Sequence, residues 1–353
     1  MIGVQRKNGS FSAHAWLDGL DDGGVLGFQE ITRLRPARQG RIDDSRATRV
    51  FAMAHVLRIE GVIAEVTQAF EAAEVGVIAL KGPSFAQWLY DPGELRAYGD
   101  ADLLVDSSRL QTAREVVSGL GFKATSFVPV EDSISHLHDE WHRDGIRIDL
   151  AVTLDEVDTA PERCWKVLQT HLDTMTVGKR RVTVLDEPGR TVNLVLHAAH
   201  HRYEFPRVLE DLSRALIRLD PKMWIAAWEL AGELDAQDAF LSGLRLDERG
   251  RALAAKLGDG RKSSMRDAWT QAGQPDLVLG FHQLADARGL RNKVLLLARE
   301  LVPSPTFMRW AMPMARRGPA GLVLAYLLRP FELVRKAPPA LFAYVRLRRS
   351  LRG

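Results

Sequence analysis

From Arg46 to Ala73, the apolar residues Ala52, Val56, Ile59, Ile63, Val66 and Phe70 recur at spacings of three and four. That period predicts a helix with one buried face. A short apolar run, Val75 to Leu80, ends at Lys81-Gly82-Pro83 and reads as a strand stopped by a turn. Ser84 is placed to cap a helix reaching about Tyr90, its hydroxyl accepting from an orphan backbone N–H. Asp91-Pro92-Gly93 breaks that helix. A second strand is predicted over Ala101 to Val105, then a helix from Ser107 to Leu120 that stops at Gly121. Phe122 to Val128 is strand-like. His138 to Arg143 and Ile146 to Val152 flank Asp144-Gly145, a pair that signals a hairpin. Lys179 to Leu185 adds a strand. From Thr191 the pattern is helical: 191–203, 208–219, 224–234, 237–256 and 294–301.

This alternation predicts an α/β (α+β) fold, a small mixed β-sheet followed by a C-terminal helical domain. Within the 353 residues we expect a loosely ordered arm over 1–47, with one short helix around Ala13 to Leu20. An α/β domain over 48–190, a helical domain over 191–300 and a basic amphipathic tail over 301–353 would follow. Apolar residues at 46% and charged residues at 26% exclude a disordered or collagen-like chain. The single cysteine, Cys164, permits no intramolecular disulfide, fits a reducing compartment and reads as a small buried apolar residue. Met1 to Ser10 contains no apolar core of a secretory leader. The longest apolar run, Ala320 to Leu328, is far short of a membrane span. The expected location is cytoplasmic, including the inner face of the membrane.

The net charge of +3 conceals an asymmetry. Leu301 to Gly353 carries ten Arg or Lys and one acidic residue, Glu332, a net +9. The preceding 300 residues carry 38 basic and 44 acidic residues, a net −6. An acidic body argues against a nucleic-acid groove, because a phosphate backbone selects basic surface. The tail mixes Phe307, Trp310, Met312 and Met314 with Arg346-Leu347-Arg348-Arg349. It reads as a peripheral contact to anionic lipid, as a contact to an acidic partner or peptide, or as a helical cap with its arginines in water.

The sharpest chemistry lies in Gly99-Asp100-Ala101-Asp102-Leu103-Leu104-Val105. Asp100 and Asp102, at i and i+2 of a strand, share one face, while Ala101 and Leu103 point into apolar packing. Two adjacent carboxylates call for a cation, and hard oxygen ligands favour Mg²⁺ or Mn²⁺. Asp149 repeats the pattern between Ile148 and Leu150; if its strand lies beside the first, three carboxylates converge. Upstream, Leu80-Lys81-Gly82-Pro83-Ser84 places a glycine turn before a helix N-terminus, an anion site to which Lys81 adds a point charge. Each motif alone also has a plainer reading, a capped strand or an ordinary turn with a solvated lysine.

Together these segments resemble the polymerase-β-like nucleotidyltransferase superfamily, and more closely its bacterial branch of uncharacterised nucleotidyltransferases. The resemblance rests on Val77-Ile78-Ala79-Leu80-Lys81-Gly82, Leu89-Tyr90, Leu95-Arg96 and Gly99 through Val105. It continues through His136-Leu137-His138, Trp141-His142, Ile148-Asp149-Leu150, Leu196 through Arg202 and Leu209-Glu210-Asp211-Leu212, covering about 50–220. By that resemblance Asp100 and Asp102 would bind catalytic Mg²⁺ and Asp149 would be the third carboxylate. The Lys81-Gly82 turn stands where most of the superfamily has a Gly-Ser turn for the triphosphate.

His197, His200 and His201 share a helix face at i, i+3 and i+4. They read as a metal site, as residues lining the cleft with Arg202 against nucleotide or acceptor, or as plain packing. Asp211 is expected to pair with His201 or Arg202, and His142 stands either at the site or on its rim. The nucleotide-binding candidates are therefore Lys81, Gly82, Ser84, His201 and Arg202, and the catalytic and metal candidates Asp100, Asp102 and Asp149. The expected reaction moves a nucleoside monophosphate from an NTP, with Mg²⁺ or Mn²⁺, to a hydroxyl or phosphate of a small molecule, sugar or peptide. The alternative is a non-catalytic nucleotide- or peptide-binding scaffold on the same fold.

Overall fold

The computed structural model describes residues 42–126, 139–157, 159–203, 205–259, 277–286 and 312–350, with isolated positions between 289 and 309. The expected helix at Ala13 to Leu20, His136 to His138 and the end of the 122–128 strand lie outside them. Of the 294–301 helix only three positions are described. The chain divides into two compact units, 1–51 and 52–353. The described part of the first is the opening of one helix, α1 (Ile42–Ala72).

The second unit is built on a seven-stranded mixed sheet. Its strands are β1 (Val77–Ala79), β2 (Asp100–Val105), β3 (Lys123–Ser126), β4 (Asp139–Arg143), β5 (Ile146–Ala151), β6 (Leu172–Val177) and β7 (Arg180–Leu185). Their order is β3-β4-β5-β2-β1-β7-β6. β1 runs antiparallel to β2, and β2 runs parallel to β5. The hairpin between β4 and β5 turns at Asp144-Gly145, both with positive φ (52° and 73°), as a two-residue type I′ loop requires.

Apolar side chains on both faces hold the sheet between two cores. On one face Ile59, Ile63, Val66 and Phe70 of α1 meet Ala101, Leu103, Ile148 and Leu150, joined by Val117 of α3 (Leu110–Gly119). On the other, Ile78 and Leu104 meet α2 (Gly82–Leu89), α4 (Pro161–Leu168) and a helical stack. The stack comprises α5 (Glu187–His201), α6 (Pro206–Arg218), α7 (Pro221–Glu233), α8 (Gln237–Leu244) and α9 (Glu248–Leu257). Further on come α10 (Leu277–Asp286) and α11 (Pro319–Ser350). Cys164 is buried, as expected.

Two expectations need correction, and two elements were not foreseen. The helix expected over 237–256 is two: the chain turns after α8, and Asp247 caps α9 by accepting from the Arg249 N–H. Helix α4, whose buried Cys164, Trp165 and Leu168 share one face, and strand β6 were not expected; β6 is largely exposed at the sheet edge, so no alternating apolar face was needed. Helix α2 begins at Gly82 with Lys81 as its N-cap, so Ser84 does not cap it. Ser84 is buried inside the first turn instead.

Candidate active site

The antiparallel register of β1 on β2 brings the end of one strand to the start of the other. The Leu80 N–H donates to the Asp102 carbonyl at 2.9 Å, so the Lys81-Gly82 turn emerges beside Asp102. Across the other edge of β2, the parallel register sets Asp102 opposite Asp149 and Asp100 opposite Arg147. All three aspartates thus lie on the α5 side of the sheet, while Ala101, Leu103, Ile148 and Leu150 fill the opposite core. β4 adds Glu140 opposite Asp149 and His142 opposite Arg147.

Cations of the chain itself thread this acidic face. Lys81 Nζ stands 3.0 Å from Asp102 and 3.6 Å from Asp155. Arg147 is paired with Asp100, and its Nε lies 3.2 Å from Asp149. A cavity of about 30 Å³ opens among Lys81, Asp102, Asp149, Thr153, Asp155 and Asn193. The turn that supplies Lys81 is held in an uncommon backbone conformation, with φ 35° at Lys81 and 23° at Gly82. A Cβ on Gly82 would meet the Tyr98 ring at an ordinary 3.4 Å, so the demand for glycine here comes from the backbone. Gly82→Ala is expected to lower stability by about 1–2 kcal/mol, read by urea unfolding.

Residues 45–249, more than half of the chain, match the sequence profile of the uncharacterised nucleotidyltransferase family. The chain belongs to that family. No curated protein is close enough in sequence to match it. Solved structures are similar only remotely. The antibiotic-resistance factor ANT(2'')-Ia aligns with 50% of this chain and 93% of its own, at 14% identity and a TM-score of 0.38. An antigenic nucleotidyltransferase-like protein from Paracoccidioides brasiliensis aligns with 52% and 91%, at 14% identity and 0.33. A tRNA nucleotidyltransferase, solved with a primer tRNA and an incoming ATP analog, aligns with 82% and 100%, at 14% identity and 0.24.

In this family member Asp100 is shifted one way and Asp102 and Asp155 the other. Burial, reinforced by the Asp102 charge, pushes the Asp100 carboxyl up to about 6 in spite of Arg147. Burial acts the same way on Asp102, yet Lys81 and His197 outweigh it and hold that carboxyl below its usual range. Asp155 is likewise held well down, because Lys81 and the His197 hydrogen bond overcome its burial. Among the described residues no group of three or more His, Cys, Asp or Glu side chains is disposed to hold a metal ion. The donor chemistry of Asp100, Asp102 and Asp149, hard oxygens on one face, nevertheless suits a divalent cation. The raised Asp100 carboxyl marks a cluster that gains from more positive charge.

The three histidines of α5 have separate partners. His197 Nδ1 donates to Asp155 at 3.0 Å, and His200 Nδ1 to Glu156 at 3.1 Å. His201 stacks edge-on against His197, His200 and Phe205. Arg202 follows as the C-cap, with φ 53°. Asp211 pairs with Arg96 and Tyr90, rather than with His201 or Arg202 as expected. The reason is geometric: α6 packs against α2 and brings Asp211 to Tyr90 at the end of α2 and to Arg96 in the segment entering β2.

Burial, with His197 and His200 next to it, drives the His201 imidazole down to about 2, so it stays neutral in the fold. The unfolded chain protonates this histidine below about pH 6.5, so its contribution to stability is complete above that pH and fades as pH falls. His200 has the opposite sign. Burial resists its charge, but Glu156 raises its pKa and favours the folded state at low pH. His201→Phe is therefore expected to flatten the loss of urea stability between pH 7.5 and 5.5; an unchanged slope would refute the assignment.

Several site residues had no motif to mark them. Asp155 and Glu156 follow β5 as a bare acidic pair, and Glu156 adopts φ 60°. Arg147 lay in view two positions before Asp149, but its pairing depends on the register with β2. Asn193 joins the cavity only because α5 crosses it.

Proposed function

We propose that this nucleotidyltransferase moves a nucleoside monophosphate from an NTP to a hydroxyl or phosphate of a small molecule, sugar or peptide, releasing pyrophosphate. The observation that carries this reading is the register of β2 on β5, which sets Asp102 opposite Asp149 beside the Lys81-Gly82 turn. Asp100, Asp102 and Asp149 would hold Mg²⁺ or Mn²⁺, which when bound supplies charge stabilisation to the transferring phosphoryl group. Lys81 and Gly82 would face the triphosphate. Ser84 would contribute through its backbone N–H, since its side chain is buried. Lys81 keeps its proton: burial opposes the charge, but Asp102 and Asp155 raise its pKa. It can therefore serve as a fixed cation toward a phosphate. His201 and Arg202, at the end of α5, would line the nucleotide side of the cleft. Asp149 would orient the acceptor and take its proton. We place this activity in the cytoplasm, where the buried Cys164 stays reduced.

The test is pyrophosphate release with each of the four NTPs, with and without Mg²⁺, against a panel of sugars, peptides and phosphorylated small molecules. Metal-dependent release with one acceptor class is expected; release that is the same without metal would overturn the reading. One observation favours a second reading, a non-catalytic nucleotide-binding scaffold. Arg147 and Lys81 already neutralise the acidic face from within the chain. Saturable Mg²⁺-dependent NTP binding without pyrophosphate release from any acceptor would select it.

A further inference from the structure

Helix α11 has two faces, and the structure covers one of them. Ala340, Ala343, Tyr344 and Leu347 pack with Val278 of α10, and Ala325 packs with Met308 and Ala315. At 100° per residue these positions fall on one side of the helix. Val323, Leu327, Phe331, Val334, Leu341 and Val345 are exposed. Their spacings of four, four, three, seven and four place them on the other side, in a stripe about 33 Å long. Phe331 and Val334, at its centre, are 73% and 70% exposed. Apolar stripes of this length on a protein surface mark a place of attachment.

Charge selects what attaches. The segment from Leu301 carries a net +9. Its one acidic residue, Glu332, is paired with Arg329 and Lys336, away from the stripe. By helical position Arg335 and Arg346 border the stripe, and Arg348 and Arg349 follow at its end. A second copy would bring +9 against +9, which opposes self-pairing through this face. A surface that is apolar beneath and anionic above satisfies both features. Among the described residues no helix is long and apolar enough to cross a membrane, so the contact is interfacial.

We propose that α11 lies on the anionic leaflet of a lipid bilayer, with its apolar stripe among the upper acyl chains and its arginines on lipid phosphates. This attachment is independent of the nucleotidyl-transfer reading. The test is co-sedimentation of the full chain with phosphatidylcholine vesicles, either pure or containing about a third phosphatidylglycerol. Binding to the anionic vesicles is expected to exceed that to neutral ones by about tenfold or more and to fall in high salt. The double variant Leu327→Glu/Phe331→Glu should lose at least tenfold in binding, with an unchanged thermal unfolding midpoint. Arg335→Glu/Arg346→Glu should lose about fivefold per charge. Equal binding to both vesicle types, no binding, or full binding by the Leu327→Glu/Phe331→Glu variant would each overturn the proposal. So would a dimer in light scattering that this variant dissolves.

Discussion

Asp102→Asn is expected to reduce metal-dependent pyrophosphate release by about 10³-fold or more, while the circular dichroism spectrum stays that of the parent. Asparagine keeps the shape of the side chain and an oxygen for Lys81, 3.0 Å away, so the β1–β2–β5 register has no reason to change. What disappears is a negative charge directly opposite Asp149, held ionised because Lys81 and His197 overcome its burial. Removing that charge weakens the hold on any divalent cation and leaves Lys81 with Asp155 as its remaining carboxylate partner at 3.6 Å. The same variant separates the two readings of the site. In an enzyme it loses turnover; in a scaffold it loses NTP affinity, and there is no turnover to lose. Parent-level pyrophosphate release from Asp102→Asn would remove Asp102 from the reaction.

The largest expected effect on stability lies at Asp211. This carboxylate is fully buried and accepts from Arg96 Nε at 2.9 Å, from Arg96 Nη2 at 2.6 Å and from the Tyr90 hydroxyl at 2.7 Å. Arg96 is itself buried, and its other terminal nitrogen donates to the Gly82 carbonyl at 3.3 Å. Asp211→Ala strands a guanidinium in the core, and removing one partner of a buried pair costs about 3–5 kcal/mol. Urea unfolding should show this loss. The double variant Arg96→Met/Asp211→Leu should recover much of it, because no uncompensated charge remains. If Asp211→Ala is as stable as the parent, the pair contributes nothing to the fold. The link to Gly82 adds a functional consequence. Arg96→Met should raise the KM for NTP even where stability is restored, since the Lys81-Gly82 turn loses its support.

Six of the seven sheet strands, the Asp144-Gly145 hairpin and the face shared by Asp100 and Asp102 were legible because each depends on contacts within a few residues. A period of two separates Asp102 from Ala101 and Leu103, and burial of the latter two fulfils it. The convergence of Asp149 was legible only as a condition, since nothing local states that β5 lies beside β2. The pairing of Asp211 was misjudged because proximity along the chain favoured Arg202. The true partner is 115 residues away, chosen by the packing of α6 on α2. Edge strand β6 left no signal because its side chains face water, and Ser84 was misplaced because the strained Lys81 conformation starts α2 three residues early.

Residue order alone determined the alternation of elements, the chemistry carried by each strand and turn, and the split between an acidic body and a basic tail. All of these follow from side-chain period and charge, which are properties of neighbours in sequence. The tertiary structure alone decided which acids meet which cations. It set Lys81 between Asp102 and Asp155, Arg147 between Asp100 and Asp149, and it divided the three histidines of α5 among Asp155, Glu156 and a ring stack. It also showed which face of α11 is covered, leaving the apolar stripe open. The physical reason is that ion pairs and packing act over a few ångströms of space, and strand register and helix crossing bring distant residues within that reach.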